Sequence, residues 1–151
     1  MDSEQGVDSS AASQRQAREG AGAGVTRAAR RVRVLVVEDE FLVSMCLEAQ
    51  VKAAGCEVVA TAHEAGTGVE LARSLRPDVV LMDIGLPDAD GAEATRQIMA
   101  EAPTCVILVT AYDGQRVEEG LKAGARLALT KPIREEQLAR AIREALAGRQ
   151  E

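Results

Sequence analysis

The stretch Asp78-Val79-Val80-Leu81-Met82-Asp83 decides the fold. A continuous apolar run with no polar alternation suits a strand covered on both faces, and such strands belong to parallel sheets flanked by helices. The run ends at a carboxylate, Asp83, and a loop bearing Gly85, Pro87 and Gly91 follows. Working outward, the same unit recurs on either side. Upstream, Val32–Val37 is a β-branched run ending in Glu38-Asp39-Glu40; Leu42, Met45, Cys46, Ala49 and Ala53 then recur at helical spacing, and Gly55 stops the helix. Glu57–Ala62 is a second strand, and Ala65, Val69, Ala72 and Leu75 mark a second helix halted near Pro77. Downstream, a third helix runs to about Ala102 and Cys105–Val109 is a fourth strand ending at Thr110. Val117 and Leu121 sit on a fourth helix that closes at Gly124, and Leu127–Thr130 is a fifth strand ending at Lys131-Pro132. Leu138, Ala141, Ile142, Ala145 and Leu146 stripe a last helix.

Five strand–helix repeats make an α/β fold, a three-layer doubly wound sandwich whose ligand site lies beyond the carboxyl ends of the strands. The 151 residues, 46% hydrophobic and 28% charged, are enough for one domain with a real core plus a tail. With Phe41 and Tyr112 the only aromatics, the composition argues against single-strand nucleic-acid binding by base stacking on rings, and a net charge of −6 disfavours a phosphate backbone as ligand. No apolar run approaches the roughly 20 residues needed to span a bilayer, so no membrane role is expected. Cys46, Cys56 and Cys105 form no C-x-x-C and read as buried small hydrophobes in a reducing cytoplasm. Residues 1–31 differ: 18 are Ala, Gly, Ser or Gln, and only Met1, Val7 and Val25 are larger apolar residues. That composition predicts a flexible tail before a domain over 32–148.

The strand ends carry the chemistry. Strand one delivers Glu38 and Asp39, strand three Asp83, strand four Thr110 and strand five Lys131. Taken singly, Asp39 and Glu40 suit a helix N-terminus, Thr110 a helix cap and Lys131 a solvated surface. Taken together on one rim, three carboxylates repel one another unless protons or a cation neutralise them. Oxygen-only ligands select a hard cation such as Mg²⁺. A carboxylate beside a metal, an ammonium and a hydroxyl has what phosphoryl transfer requires: Asp83 attacks phosphorus, Lys131 and the cation neutralise oxygens, and Thr110 hydrogen-bonds the new group. His63, a lone histidine at a strand–helix junction, reads as a surface residue.

The runs V-L-V-V-E-D-E (34–40), D-V-V-L-M-D-I-G-L-P-D-A-D-G (78–91), V-I-L-V-T-A (106–111) and G-A-R-L-A-L-T-K-P (124–132) resemble the receiver domain of two-component response regulators, over about 32–148. The resemblance implies a flavodoxin-like strand order 2-1-3-4-5. It implies Asp83 as phosphoacceptor, and Mg²⁺ (or Mn²⁺) held by Asp39, Asp83 and the Gly85 carbonyl, with Glu38 acting through water. It implies Thr110 as switch hydroxyl, Lys131 as partner of the phosphoryl group and a cis bond before Pro132. Ala128 departs from the pattern, since an aromatic switch residue often stands there, so the usual coupling lacks its second part. Tyr112 is either a lid over the site that tunes the access of water or an ordinary loop residue.

The function expected from these residues is a single-domain phosphoacceptor switch rather than an enzyme. It would be charged by a histidine kinase or phosphotransfer protein and act on a downstream protein, as a monomer or a phosphorylation-dependent dimer. With no output domain before Glu151, the output is expected to be protein contact or a relay step. Two other readings remain. A related phosphohydrolase would need a second acid where Gly85 stands, together with a cap. An unphosphorylated receiver-like binding surface would form no adduct.

Overall fold

The computed structural model describes residues 30–111 and 114–148. The predicted tail therefore lies outside the described residues, Arg30 and Arg31 excepted, and so does Tyr112. Among the described residues five strands alternate with five helices: β1 (Arg33–Val37), α1 (Phe41–Ala53), β2 (Glu57–Ala62), α2 (Ala65–Leu75), β3 (Val79–Asp83), α3 (Gly91–Glu101), β4 (Cys105–Thr110), α4 (Gly114–Lys122), β5 (Leu127–Thr130) and α5 (Glu135–Gly148). All strand pairs are parallel, and the sheet order is β2-β1-β3-β4-β5, with β3 central.

Successive residues of a strand face opposite sides of the sheet, and the two sides build two cores. Leu35, Val37, Val80, Met82, Val106 and Leu108 pack with Val69 and Ala72 of α2 and with Ala94 and Ile98 of α3. Val34, Val36, Val79, Leu81, Ile107 and Val109 pack with Leu47 and Val51 of α1 and with Leu138, Ala141, Ile142 and Ala145 of α5. Burial on both sides explains why β1, β3 and β4 read as unbroken apolar runs, since nearly every one of their residues is inaccessible to solvent. No helix is long and apolar enough to cross a membrane among the described residues.

The phase of α1 departs from its sequence pattern. Leu42, Met45, Cys46, Ala49 and Ala53, whose spacing marks the helix, are all exposed; Leu42 keeps 74% of its surface and Met45 47%. The buried face is Ser44, Leu47 and Val51. Gln50 fixes this phase by donating from Nε2 to the Ile133 carbonyl at 2.5 Å, and Thr61 Oγ1 on β2 donates to Glu48 Oε2 at 2.5 Å. One residue turns a helix by about 100°, so Cys46 points away when Leu47 faces the sheet. The expectation that all three cysteines are buried is thus corrected: Cys56 and Cys105 are buried, whereas Cys46 is exposed.

Two glycines answer specific backbone demands, Gly55 at the far end of α1 from the rim and Gly91 at the rim itself. Gly55, with φ +84°, adopts the left-handed backbone that ends α1. Gly91 opens α3 against the end of β3, where a Cβ would stand 2.5 Å from the Asp83 carbonyl oxygen; only a residue without a side chain allows that approach.

Candidate functional site

Each rim residue is delivered by the carboxyl end of a strand. Glu38 follows β1 and is wholly buried; its N–H donates to the Ala62 carbonyl of β2 at 2.9 Å, and its own carbonyl lies 2.9 Å from His63 Nδ1. His63 is exposed, as a surface histidine should be. Asp83 ends β3 and Thr110 ends β4, both buried. Lys131 follows β5, its N–H donating to the Thr110 carbonyl at 2.7 Å, and the Lys131–Pro132 peptide bond is cis.

The charged ends converge. One carboxylate oxygen each from Glu38, Asp39 and Asp83 lies within 4.8 Å of the other two. Lys131 Nζ stands 2.9 Å from Glu38 Oε1 and 3.6 Å from Asp83 Oδ1. The Gly85 N–H donates to Asp83 Oδ1 at 3.2 Å, and the Glu40 N–H donates to Glu38 Oε2 at 3.2 Å. Glu40 occupies the N-cap position of α1 without a side-chain capping bond, so the acidic residues here are not held by helix capping.

The electrostatics follow from burial and crowding. Burial, with the Glu38 carboxylate alongside, pushes the Asp83 carboxyl up to about 7; the Lys131 ammonium and the Gly85 N–H pull the other way, and neighbouring Asp39 adds to the rise. For Lys131, burial favours the neutral amine, but Glu38, Asp83 and Glu40 together outweigh it and hold the ammonium above its ordinary value.

These residues fit a hard divalent cation. The donors are all oxygens, two of the three acids are buried, and Glu38 Oε1 has no hydrogen-bond partner despite complete burial, its nearness to Lys131 being a charge pairing without hydrogen-bond alignment. Buried carboxylate oxygens in that condition are stabilised by a dication.

Asp39, Asp83, Gly85, Thr110 and Lys131 line one cavity of about 370 Å³, together with Glu40, Ile84, Ala111 and Arg116. A second, mainly apolar cavity of about 440 Å³ lies behind Lys131, between α1 and the segment Pro132–Ile133; it gathers no cluster of carboxylates. Ala128 is half-buried in β5 against the α2–α3–α4 side of the sheet, with no ring to reach toward Thr110.

Sequence reading missed two residues that shape the site. Arg116, on the first turn of α4, donates from Nη2 to the Ile84 carbonyl at 3.2 Å and lies 3.8 Å from Asp90 Oδ1. Asp88 accepts from the N–H groups of Ala65 (2.7 Å) and Gly66 (3.0 Å), so it caps α2 from the loop after β3, and those bonds hold its carboxyl below the usual range. No local motif announces either contact, because each depends on how separate elements pack.

The chain matches the family model of the response regulator receiver domain over residues 34–143. It is 42% identical over 120 residues to protein PilH of Pseudomonas aeruginosa, a match covering 77% of this chain and 98% of PilH. Among solved structures it resembles the response regulator domain of Thermotoga maritima CheB, with TM-score 0.71 and 37% identity over 78% of this chain and 98% of that one. It also resembles the receiver domain of the sensor histidine kinase PA1611 from Pseudomonas aeruginosa PAO1, which has a magnesium ion coordinated in its active site cleft (TM-score 0.70, 31% identity, 78% and 99% coverage). Fold, strand order and family profile agree: this chain belongs to the response regulator receiver domains of phosphorylation-based two-component signalling.

Proposed function

We propose that Asp83 accepts a phosphoryl group from a phosphohistidine on a histidine kinase or phosphotransfer protein, making the chain a switchable signalling module rather than a turnover enzyme. One observation carries this reading: Asp39, Asp83 and the Lys131 ammonium line a single solvent-reached cavity at the strand ends, with the buried Glu38 carboxylate clustered against them.

In the proposed step an Asp83 Oδ attacks phosphorus, the phosphorus–nitrogen bond breaks, and its electron pair returns to the imidazole. Asp39, Asp83 and the Gly85 carbonyl, with Glu38 through water, would hold Mg²⁺ (or Mn²⁺), which would neutralise charge on the phosphoryl oxygens. Lys131 is close enough to move from the Glu38–Asp83 pair onto a phosphoryl oxygen, keeping its ammonium within the cavity. Thr110, buried at the end of β4, would meet the new group with its hydroxyl and relay its presence to the segment before α4. Hydrolysis of the aspartyl phosphate by water resets the switch.

The partners of this reading are the phosphodonor and a downstream protein target, with the chain acting as a monomer or a phosphorylation-dependent dimer. Cys56 and Cys105, buried and unpaired, suit a reducing cytoplasm.

Incubation with Mg²⁺ and a small-molecule acyl phosphate, followed by intact mass measurement, should show one added phosphoryl group that Asp83→Ala abolishes. A folded protein that takes up no phosphoryl group would instead be an unphosphorylated binding module.

A further inference from the structure

α4 is lightly anchored to the sheet. Gly120, packed on Leu108, is its one buried residue, with Val117 half-buried, whereas α3 buries five residues and α2 and α5 four each. An element with so few buried contacts opens or shifts at low cost.

Arg116 supplies a polar tie where apolar ones are scarce. From the first turn of α4 its guanidinium donates to the carbonyl of Ile84, the residue next to Asp83, and pairs with Asp90, whose side chain caps α3 through the Ala92 N–H at 2.8 Å. The same Ile84 carbonyl accepts the Gly91 N–H at 2.9 Å, so one oxygen gathers the first turns of two helices beside Asp83. Arg116 also lines the cavity that Asp83 faces.

We propose that Arg116 is a positioning residue that tethers α4 to the loop after Asp83, and that a phosphoryl group on Asp83 draws its guanidinium off Ile84 and Asp90 and so releases α4. This rests on Asp83 being the phosphoacceptor. An aspartyl phosphate brings close to two negative charges and three strong acceptor oxygens into the cavity. A planar guanidinium prefers such an anion to a neutral carbonyl and a half-exposed carboxylate 3.8 Å away. With alanine at 128 there is no ring to transmit the change, and the tether offers a second route from Asp83 to α4.

The test is hydrogen exchange of the α4 amides in the full-length chain, with and without Mg²⁺ and beryllofluoride, binding of the latter being read separately by fluorine NMR. In the wild type, beryllofluoride should speed α4 exchange several-fold. Arg116→Ala should already exchange at that faster rate without beryllofluoride and respond little to it at concentrations that fluorine NMR shows to saturate the site. Asp90→Asn, which keeps a capping oxygen and loses the charge, should shift part of the way, and Arg116→Lys should restore part of the protection. Equal resting exchange in the wild type and Arg116→Ala, with the same response to beryllofluoride, would overturn the tether. Failure of the wild type to bind beryllofluoride would instead overturn the phosphoacceptor reading and the release step with it, while the resting comparison still decides whether Arg116 holds α4.

Discussion

Lys131 Nζ lies nearer to Glu38 Oε1 (2.9 Å) than to Asp83 Oδ1 (3.6 Å), so the ammonium chiefly neutralises the fully buried acid. Replacing Lys131 by Met leaves that carboxylate without a cation. The expected loss of stability is about 1–3 kcal/mol, less than for a fully buried pair because the lysine is itself 21% exposed. The raised ammonium pKa makes the lysine's contribution complete below its ordinary value of 10.5 and lost only as pH rises past it. Phosphorylation by an acyl phosphate should slow about tenfold or more, since a fixed positive charge leaves the transfer site. Urea titration and the rate of adduct formation measure the two effects.

The Asp83 carboxyl predicts a pH dependence of the same sign in a lower window. Its folded-state value, about 7, lies above the ordinary 3.8, so between these limits the folded chain binds a proton that the unfolded chain has released. Stability of the metal-free protein should therefore fall as pH rises from about 4 to about 7. Asp83→Asn removes this component and should be the more stable form at pH 8, by on the order of 1–3 kcal/mol. Mg²⁺ should restore stability to the wild type at that pH and not to Asp83→Asn. Thermal melts of both proteins across pH, with and without the ion, check the sign.

The sheet and its rim were legible because burial on both faces writes β1, β3 and β4 as apolar runs, each closed by a polar residue where the strand leaves the core. Glu38, Asp83 and Thr110 could be placed on one rim by that rule alone, and Lys131 by the strand–helix repeat that puts β5 beside β4. The buried side of α1 could not be placed, because that helix is apolar on two faces, and spacing fits Leu42, Met45 and Cys46 as well as it fits Val43, Leu47 and Val51. The contacts of Arg116 and Asp88 join residues 32 and 23 positions apart. They exist only once the helices are seated on the sheet.

That difference between the faces of α1 is measurable. Leu42→Gln and Met45→Gln alter side chains already in water and should change stability by no more than about 0.5 kcal/mol. Leu47→Ala empties a buried site against Val34, Val36 and Val51 and should cost about 2–4 kcal/mol. Denaturant midpoints for the three variants would reveal an error in helix phase, because the order of effects would reverse.

Two glycines of the loop after Asp83 should respond in opposite ways to the same added methyl group. A Cβ on Gly91 would meet the Asp83 carbonyl oxygen at 2.5 Å and Ile84 Cα at 2.7 Å, both rigid backbone. Gly91→Ala must therefore push α3 away from β3, costing about 1–3 kcal/mol and displacing the acceptor carboxylate. A Cβ on Gly85 meets nothing within 4 Å, and Gly85 adopts no left-handed backbone. Gly85→Ala also keeps the carbonyl proposed to face the cation, so both stability and phosphorylation should stay close to wild type. Melting temperature alone would not separate a loosened fold from a damaged site. The informative quantity is the rate of adduct formation well below each variant's melting point, where Gly91→Ala should remain slow if the position of Asp83 depends on the close seating of α3.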